Sequence, residues 1–203
     1  MFWPWTSSET PVLEGTTVHL RLPQLRDYDQ WYALRRSSRD FLRPFEPRWT
    51  ELDLARSAFV SRVRRGRQEA VEGTDYSFFV LRMNNGAEEL LGGITLSNVR
   101  RRAAQHVNLG YWMGQPFAGQ GIMTEAVGAT LPFIFDTLSL HRAHAAFLPH
   151  NMASRRVLEK NGFVEEGFAE AYLQIDGRWA DHVLFGLTRE RFESRRYRND
   201  WRV

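Results

Sequence analysis

Polar and apolar residues alternate over Thr17–Leu22, and that period of two predicts a first strand. The period then lengthens. Asp27 is placed to cap a helix through Trp31, Leu34 and Arg35, and Pro44 and Pro47 break the chain after it. A second helix is predicted over Leu52–Arg67, with Leu54, Ala58 and Val63 among its apolar positions. Aromatic and β-branched residues crowd Tyr76–Arg82, Asn85-Gly86 signals a turn, and Leu90–Leu96 resumes the apolar run, so a hairpin is expected. In Gln105–Met113, Val107, Leu109, Tyr111 and Met113 are apolar while His106 and Asn108 are polar, the mark of a strand with two unlike faces. Ile122–Leu138 reads as a helix that Pro132 should kink. His141–Leu148 reads as a strand and Met152–Lys160 as a helix, which Asn161-Gly162 stops. Phe163–Leu173 and Val183–Leu187 are late strands. The order predicts an α/β (α+β) domain: a mixed, mostly antiparallel sheet of about seven strands flanked by about four helices.

The 203 residues are enough for one domain with a sizeable core. Residues 1–12 read as a peripheral segment, 13–190 as the domain and 191–203 as an arginine-rich tail. No apolar run approaches the ~20 residues of a membrane-spanning helix, and MFWPWTSSET lacks the pattern of a secretory signal. The cytoplasm is therefore the expected compartment. The absence of cysteine excludes disulfides, thiolate nucleophiles and cysteine zinc sites, and no metal is implied. Lys160 is the only lysine, and the net charge is only +3. Arginine suits carboxylates and phosphates, but the six arginines and three acids of Arg189–Val203 are read as a solvated end. Direct nucleic-acid binding is not expected.

Gly119-Gln120-Gly121 lies between a strand and a helix. Glycines let backbone approach a ligand there, and the first turn of the next helix offers unpaired N–H groups and a positive dipole end. That combination binds an anion without a charged side chain. The pattern is neither GxxxxGK[ST] nor GxGxxG, which argues against a P-loop or a Rossmann site. A second segment, Pro149-His150-Asn151-Met152-Ala153-Ser154, also joins a strand to a helix, with Asn151 as a natural N-cap. Both helix starts can lie at one edge of a sheet, where α/β folds bind ligands.

The pairing of QPFAGQGIMTEA with PHNMASRRVLEKNGFVEEG, followed by AYLQIDGRWADHVLF, resembles the GNAT N-acetyltransferase superfamily, and within it the RimJ/RimL-type branch that acetylates the N-terminal amines of ribosomal proteins, RimJ being the closer match. The resemblance runs from about Tyr76 to Arg189. It implies acetyl-CoA as cosubstrate, with the pantetheine arm along the backbone of Tyr111, Trp112 and Met113. Gly119, Gln120, Gly121, Ile122, Met123 and Thr124 would take the pyrophosphate. Asn151 would hold the pantetheine, and Ser154 would face the thiol. The chain departs from the pattern at three places. Ala118 replaces a glutamine or arginine, Met123 replaces a small residue, and Leu158 replaces the tyrosine that many members use to protonate the thiolate. The first two positions act through backbone N–H, so the cosubstrate site survives. The third moves the thiol role to Ser154.

Acetyl transfer needs a neutral amine, a polarised carbonyl, alignment of the two and a leaving thiolate. An N–H at Trp112 or Met113 would polarise the thioester oxygen. The base is left among several groups. His106 is the better candidate by residue type, since imidazole is the side chain suited to proton transfer near neutral pH. Glu170 lies just before Tyr172, one residue off the place where the branch carries an acid, which is Ala171 here. Regular alternation turns Glu170 to the opposite face unless a bulge intervenes. Asp181-His182 also matches the branch and has a structural reading as a tie between late strands. Glu125, in a helix first turn, is read as structural. The aromatic residues Tyr28, Trp31, Tyr32, Phe41 and Phe45, with Leu42, are core or acceptor-wall candidates. The expected partner is a protein or peptide N-terminus, such as that of a ribosomal protein, and the enzyme is expected as a monomer or homodimer. A small-molecule amine as acceptor, or a non-catalytic acyl-CoA-binding module, stands as the alternative.

Overall fold

The computed structural model describes residues 10–197. Eight strands form one sheet in the order β1-β2-β3-β4-β5-β6-β8-β7. They are β1 (Val12–Glu14), β2 (His19–Arg21), β3 (Tyr76–Asn84), β4 (Ala87–Arg100), β5 (His106–Met113), β6 (Arg142–Phe147), β7 (Val164–Ile175) and β8 (Arg178–Thr188). Every neighbouring pair is antiparallel except β5 with β6. Six α-helices accompany them among the described residues: α1 (Tyr28–Ser37), α2 (Arg39–Leu42), α3 (Arg56–Glu72), α4 (Ile122–Pro132), α5 (Met152–Lys160) and α6 (Arg189–Tyr197). None is long and apolar enough to cross a membrane.

The expected class holds, with one more strand and two more helices than the pattern shows. β1 and α2, at three and four residues, are too short to display a period. β4 runs to 14 residues because β3 and β5 keep pairing it where its own apolar pattern has lapsed. The predicted helix over Leu52–Arg67 is two pieces. A single 3-10 turn at Glu51–Leu54 is closed by reciprocal bonds between Thr50 and Asp53, and α3 follows, ending at Gly73 in the left-handed region. Pro132 removes the donor for the carbonyl one turn earlier, and the chain then winds as a π-helix over Phe133–Thr137.

The arginine-rich run differs from the expected tail. Its first part is α6, whose Phe192 is buried against Phe135 with ring centroids 4.8 Å apart. Trp3, Trp5, Arg198 and Arg202 lie outside the described residues.

Strand alternation builds a core on each face of the sheet. Phe78, Val80, Leu91, Leu96, Val107 and Leu109 point to the rear, where α4 and α5 pack. Phe79, Leu81 and Leu90 point to the front, against Trp31 of α1 and Phe59 and Val63 of α3. A buried Arg21 holds the front edge together. It makes two 2.8 Å bonds to Asp27 and a 2.7 Å bond to Glu88, the paired and hydrogen-bonded state that a buried charge requires.

Candidate active site

The parallel pair of strands zips only partway. β5 and β6 are in register at His106 with Arg142, Val107 with Ala143 and Asn108 with His144, and pair no further. Beyond that point β5 continues along β4 as far as Met113 opposite Gly92, while β6 continues along β8 as far as Phe147 opposite Val183. A wedge-shaped gap opens between them, and one edge of the Leu109–Met113 backbone has no neighbouring strand.

Two helix starts stand at the rear of this gap. Gly119 and Gly121 have φ of 77° and 81°, a region that side chains with a Cβ enter at a cost. The Gln120 amide donates to the Pro116 carbonyl at 2.9 Å and closes the loop. The first intrahelical bond of α4 runs from Glu125 N–H to the Gly121 carbonyl, so the N–H groups of Ile122, Met123 and Thr124 have no partner within the helix. All three of those side chains are buried. Their backbones are what the loop offers, and Met123 is no obstacle to an anion. Glu125 faces away from this site. It accepts from Thr17 N–H, the Thr17 hydroxyl and Val18 N–H. Burial pushes its carboxyl up, but these bonds outweigh that and hold it below the usual range.

At the start of α5 the Asn151 Oδ1 accepts from Ser154 N–H at 3.1 Å, leaving its amide N–H groups as the part able to meet a ligand. The Tyr111 phenol reaches across the gap and donates to the Ser154 carbonyl at 3.3 Å. Burial pushes this phenol up to about 12, the Ser154 contact opposing it only in part, so it is a neutral donor at physiological pH. Tyr111 was expected to act through its backbone. Its side chain also meets α5, a contact that only folding brings about. α5 is locked to α4 by Asn161, whose amide donates to the Thr124 carbonyl at 3.1 Å and the Val157 carbonyl at 2.8 Å.

The front of the gap is aromatic and basic. Arg35 lies between Trp49 and Trp112, 5.0 and 4.8 Å from their rings, and forks onto Glu46 at 2.8 and 2.6 Å. Arg39, Arg43, Arg48 and Trp49 line a cavity of about 290 Å³ beneath the β7–β8 turn, closed by Asp176. The turn is tied down by Asp176 N–H donating to the Glu46 carbonyl. Phe45 packs near His150, their ring centroids 5.9 Å apart in a tilted arrangement, beside the entry to α5. This arginine cluster escapes sequence reading because no motif marks residues 35–49 and its Asp176 partner lies far along the chain.

The base candidates are dispersed. His106 sits at the closed end of the gap, its ring 4.9 Å from that of His144. It is five positions from Tyr111, about 16 Å along a strand. Glu170 lies in a bulge, where β7 and β8 slip register between Ala169 and Leu173. Ala171 takes φ 45° there, and its N–H donates to the Asp181 carboxylate at 2.8 Å. Simple alternation from Tyr172 therefore does not hold, and the Glu170 side chain is exposed.

A profile of the acetyltransferase (GNAT) domain matches residues 17–164. The chain belongs to the GNAT acetyltransferase family. The [ribosomal protein uS5]-alanine N-acetyltransferase of Escherichia coli K12 is 34% identical over 186 residues, covering 89% of this chain and 93% of that one. Among solved structures, Mycobacterium smegmatis RimJ in complex with CoA-disulfide superposes with a TM-score of 0.81 at 30% identity, covering 94% of each chain. The ribosomal-protein-S5-alanine acetyltransferase of Vibrio fischeri gives 0.81 at 29% identity, over 88% of this chain and 96% of that one. This GNAT protein is an N-acetyltransferase.

Proposed function

We propose that this protein transfers the acetyl group of acetyl-CoA to the N-terminal α-amine of a protein, of the ribosomal-protein-alanine kind, in the cytoplasm. The observation that carries the reading is the gap between β5 and β6 with both helix starts at its rear. The gap has the shape for an extended thioester arm. The free N–H groups of Ile122–Thr124, with Gly119, Gln120 and Gly121, suit a pyrophosphate. The open edge of Tyr111, Trp112 and Met113 suits the pantetheine amides, and the Asn151 amide can donate to them as well. A backbone N–H of Trp112 or Met113 aimed at the thioester oxygen would stabilise the charge that develops on it. Ser154, half-buried at the first turn of α5, would hydrogen-bond the departing sulfur.

Similarity to the uS5-alanine enzymes over nearly the whole chain supports a protein N-terminus as acceptor. Incubation with acetyl-CoA and peptides beginning Ala, Ser or Thr should release free thiol and acetylate the peptide N-terminus. Silence with every peptide would overturn the assignment of acceptor. Ser154→Ala should lower kcat about tenfold or more while KM for acetyl-CoA stays unchanged, the pattern of an interaction made in the transition state. An unchanged kcat removes Ser154 from the thiol role.

A further inference from the structure

Among the described residues few ionisable side chains are fully buried. Arg21 and Asp27 neutralise each other. His182, 3% exposed, has no charged partner. Its Nδ1 lies 2.9 Å from the Ala180 carbonyl. A carbonyl only accepts, so Nδ1 carries the proton, and in the neutral ring the lone pair sits on Nε2. No described group bonds that Nε2. A tautomer held this way leaves one basic nitrogen available.

The sheet register places this nitrogen beside the gap. Val183 and Phe147 face each other in the rear core, so His182, the next residue, points to the front. Extending the β6–β8 register by one step puts His182 level with Leu148, just past the end of β6, the strand that forms the far wall of the gap. His182 therefore lies one strand beyond the gap, about 5 Å further across the sheet, on the face opposite Ser154 and α5. Tyr172, from the bulge of β7, covers the imidazole at 5.7 Å in an edge-to-face arrangement. His106, at the closed end of the gap, lacks this placement. The other titratable groups of the corner are Glu170 on β7, Asp181 on β8 and His150 before α5. Asp181 is engaged by Ala171 N–H. On the 43–48 segment, Glu46 is bound to Arg35, and Arg43 and Arg48 to Asp176.

We propose that His182 is the base that takes the proton from the acceptor amine, directly or through one water; this rests on the acetyl-transfer reading above. The ammonium loses one proton to Nε2, which returns it to solvent. The amine nitrogen attacks the thioester carbon, the C–N bond forms, and the C–S bond breaks with its electron pair on sulfur. The second proton of the nitrogen leaves by the same route, and the thiolate takes one from solvent. One proton is released overall. The Ala180 carbonyl stabilises the imidazolium that forms, as a hydrogen-bond acceptor favours a charged donor.

His182→Asn keeps an amide N–H in the place of Nδ1 and removes the base. At saturating Ala-starting peptide, kcat near neutral pH should fall about 10²- to 10⁴-fold, with the Kd for CoA within twofold of wild type. The kcat of the variant should keep rising with pH until the amine ionises unaided, without the plateau that a general base gives the wild-type profile. A profile of wild-type shape overturns the proposal. Wild-type protein supplies a check that does not depend on the variant folding. The ¹⁵N resonances of the His182 ring should report the Nδ1–H tautomer, with Nε2 shifting when CoA and peptide are added together; an Nε2–H tautomer overturns it. The same measurements are made with glycinamide as acceptor. Wild-type turnover of glycinamide but of no peptide would refute the protein-acceptor reading, and the His182 comparison would still decide the base.

Discussion

Gly121 shows how much one residue can carry. Its φ of 81° ends the loop and begins α4 in the same step. A Cβ built there meets no atom within 4 Å, so the constraint is backbone conformation alone. Gly121→Ala should cost about 1–2 kcal/mol, the penalty of a left-handed residue with a side chain, read as a lower urea midpoint with an unchanged slope. Relaxation of the loop would also turn the Ile122–Thr124 N–H groups, so calorimetry should show weaker CoA binding. Unaltered CoA affinity would mean that these groups do not meet the pyrophosphate. Tyr111 is the converse case. Its ring reads as one more apolar position of a strand, yet its hydroxyl ends on α5 at a separation of 43 residues.

Elements differ in how strongly their own residues define them. α5 matches its predicted bounds because cap, apolar face and stop are all local: Asn151, Leu158 and Asn161-Gly162. β7 carries a feature that no period encodes, an interior bulge between Ala169 and Leu173 where the Ala171 N–H donates to the Asp181 carboxylate ten residues away. α4 takes its position from a distant partner too. Glu125 ties it to the loop before β2 through three hydrogen bonds. Glu125→Ala should destabilise the protein by about 1.5–3 kcal/mol, the range for bonds to a charged group, measured by chemical denaturation. A loss near zero would mean that water replaces all three contacts.

Across the whole molecule, the two faces of the sheet have separate cores, and the buried charges sit at the front edge. There the Arg21 guanidinium holds the Glu88 carboxyl at about 2, against an ordinary value of 4.5, with His19 adding to the effect. A depressed carboxyl stabilises the fold above its unfolded pKa, and that contribution disappears as pH falls through the folded one. Thermal stability should therefore drop between about pH 4.5 and pH 2. Glu88→Gln should flatten this part of the curve and lower stability at neutral pH, where it strands part of the Arg21 charge. Parallel curves for variant and wild type would assign the acid transition to other carboxylates.

Among the described residues, the sequence by itself determined seven of the eight strands, four of the six α-helices and both helix starts, and it identified the family through its motifs, because each is written in local period, caps and glycine positions. The two-faced pattern of Val107–Met113 even marks the strand that forms one wall of the gap. Only the tertiary structure decided the gap itself, since it depends on where β5 and β6 stop pairing, and neither strand records its partner. The same holds for the Tyr111 contact with Ser154, the arginine cavity under the β7–β8 turn and the burial of His182. Each joins residues far apart in the chain, and their proximity follows from sheet register, which no single segment contains.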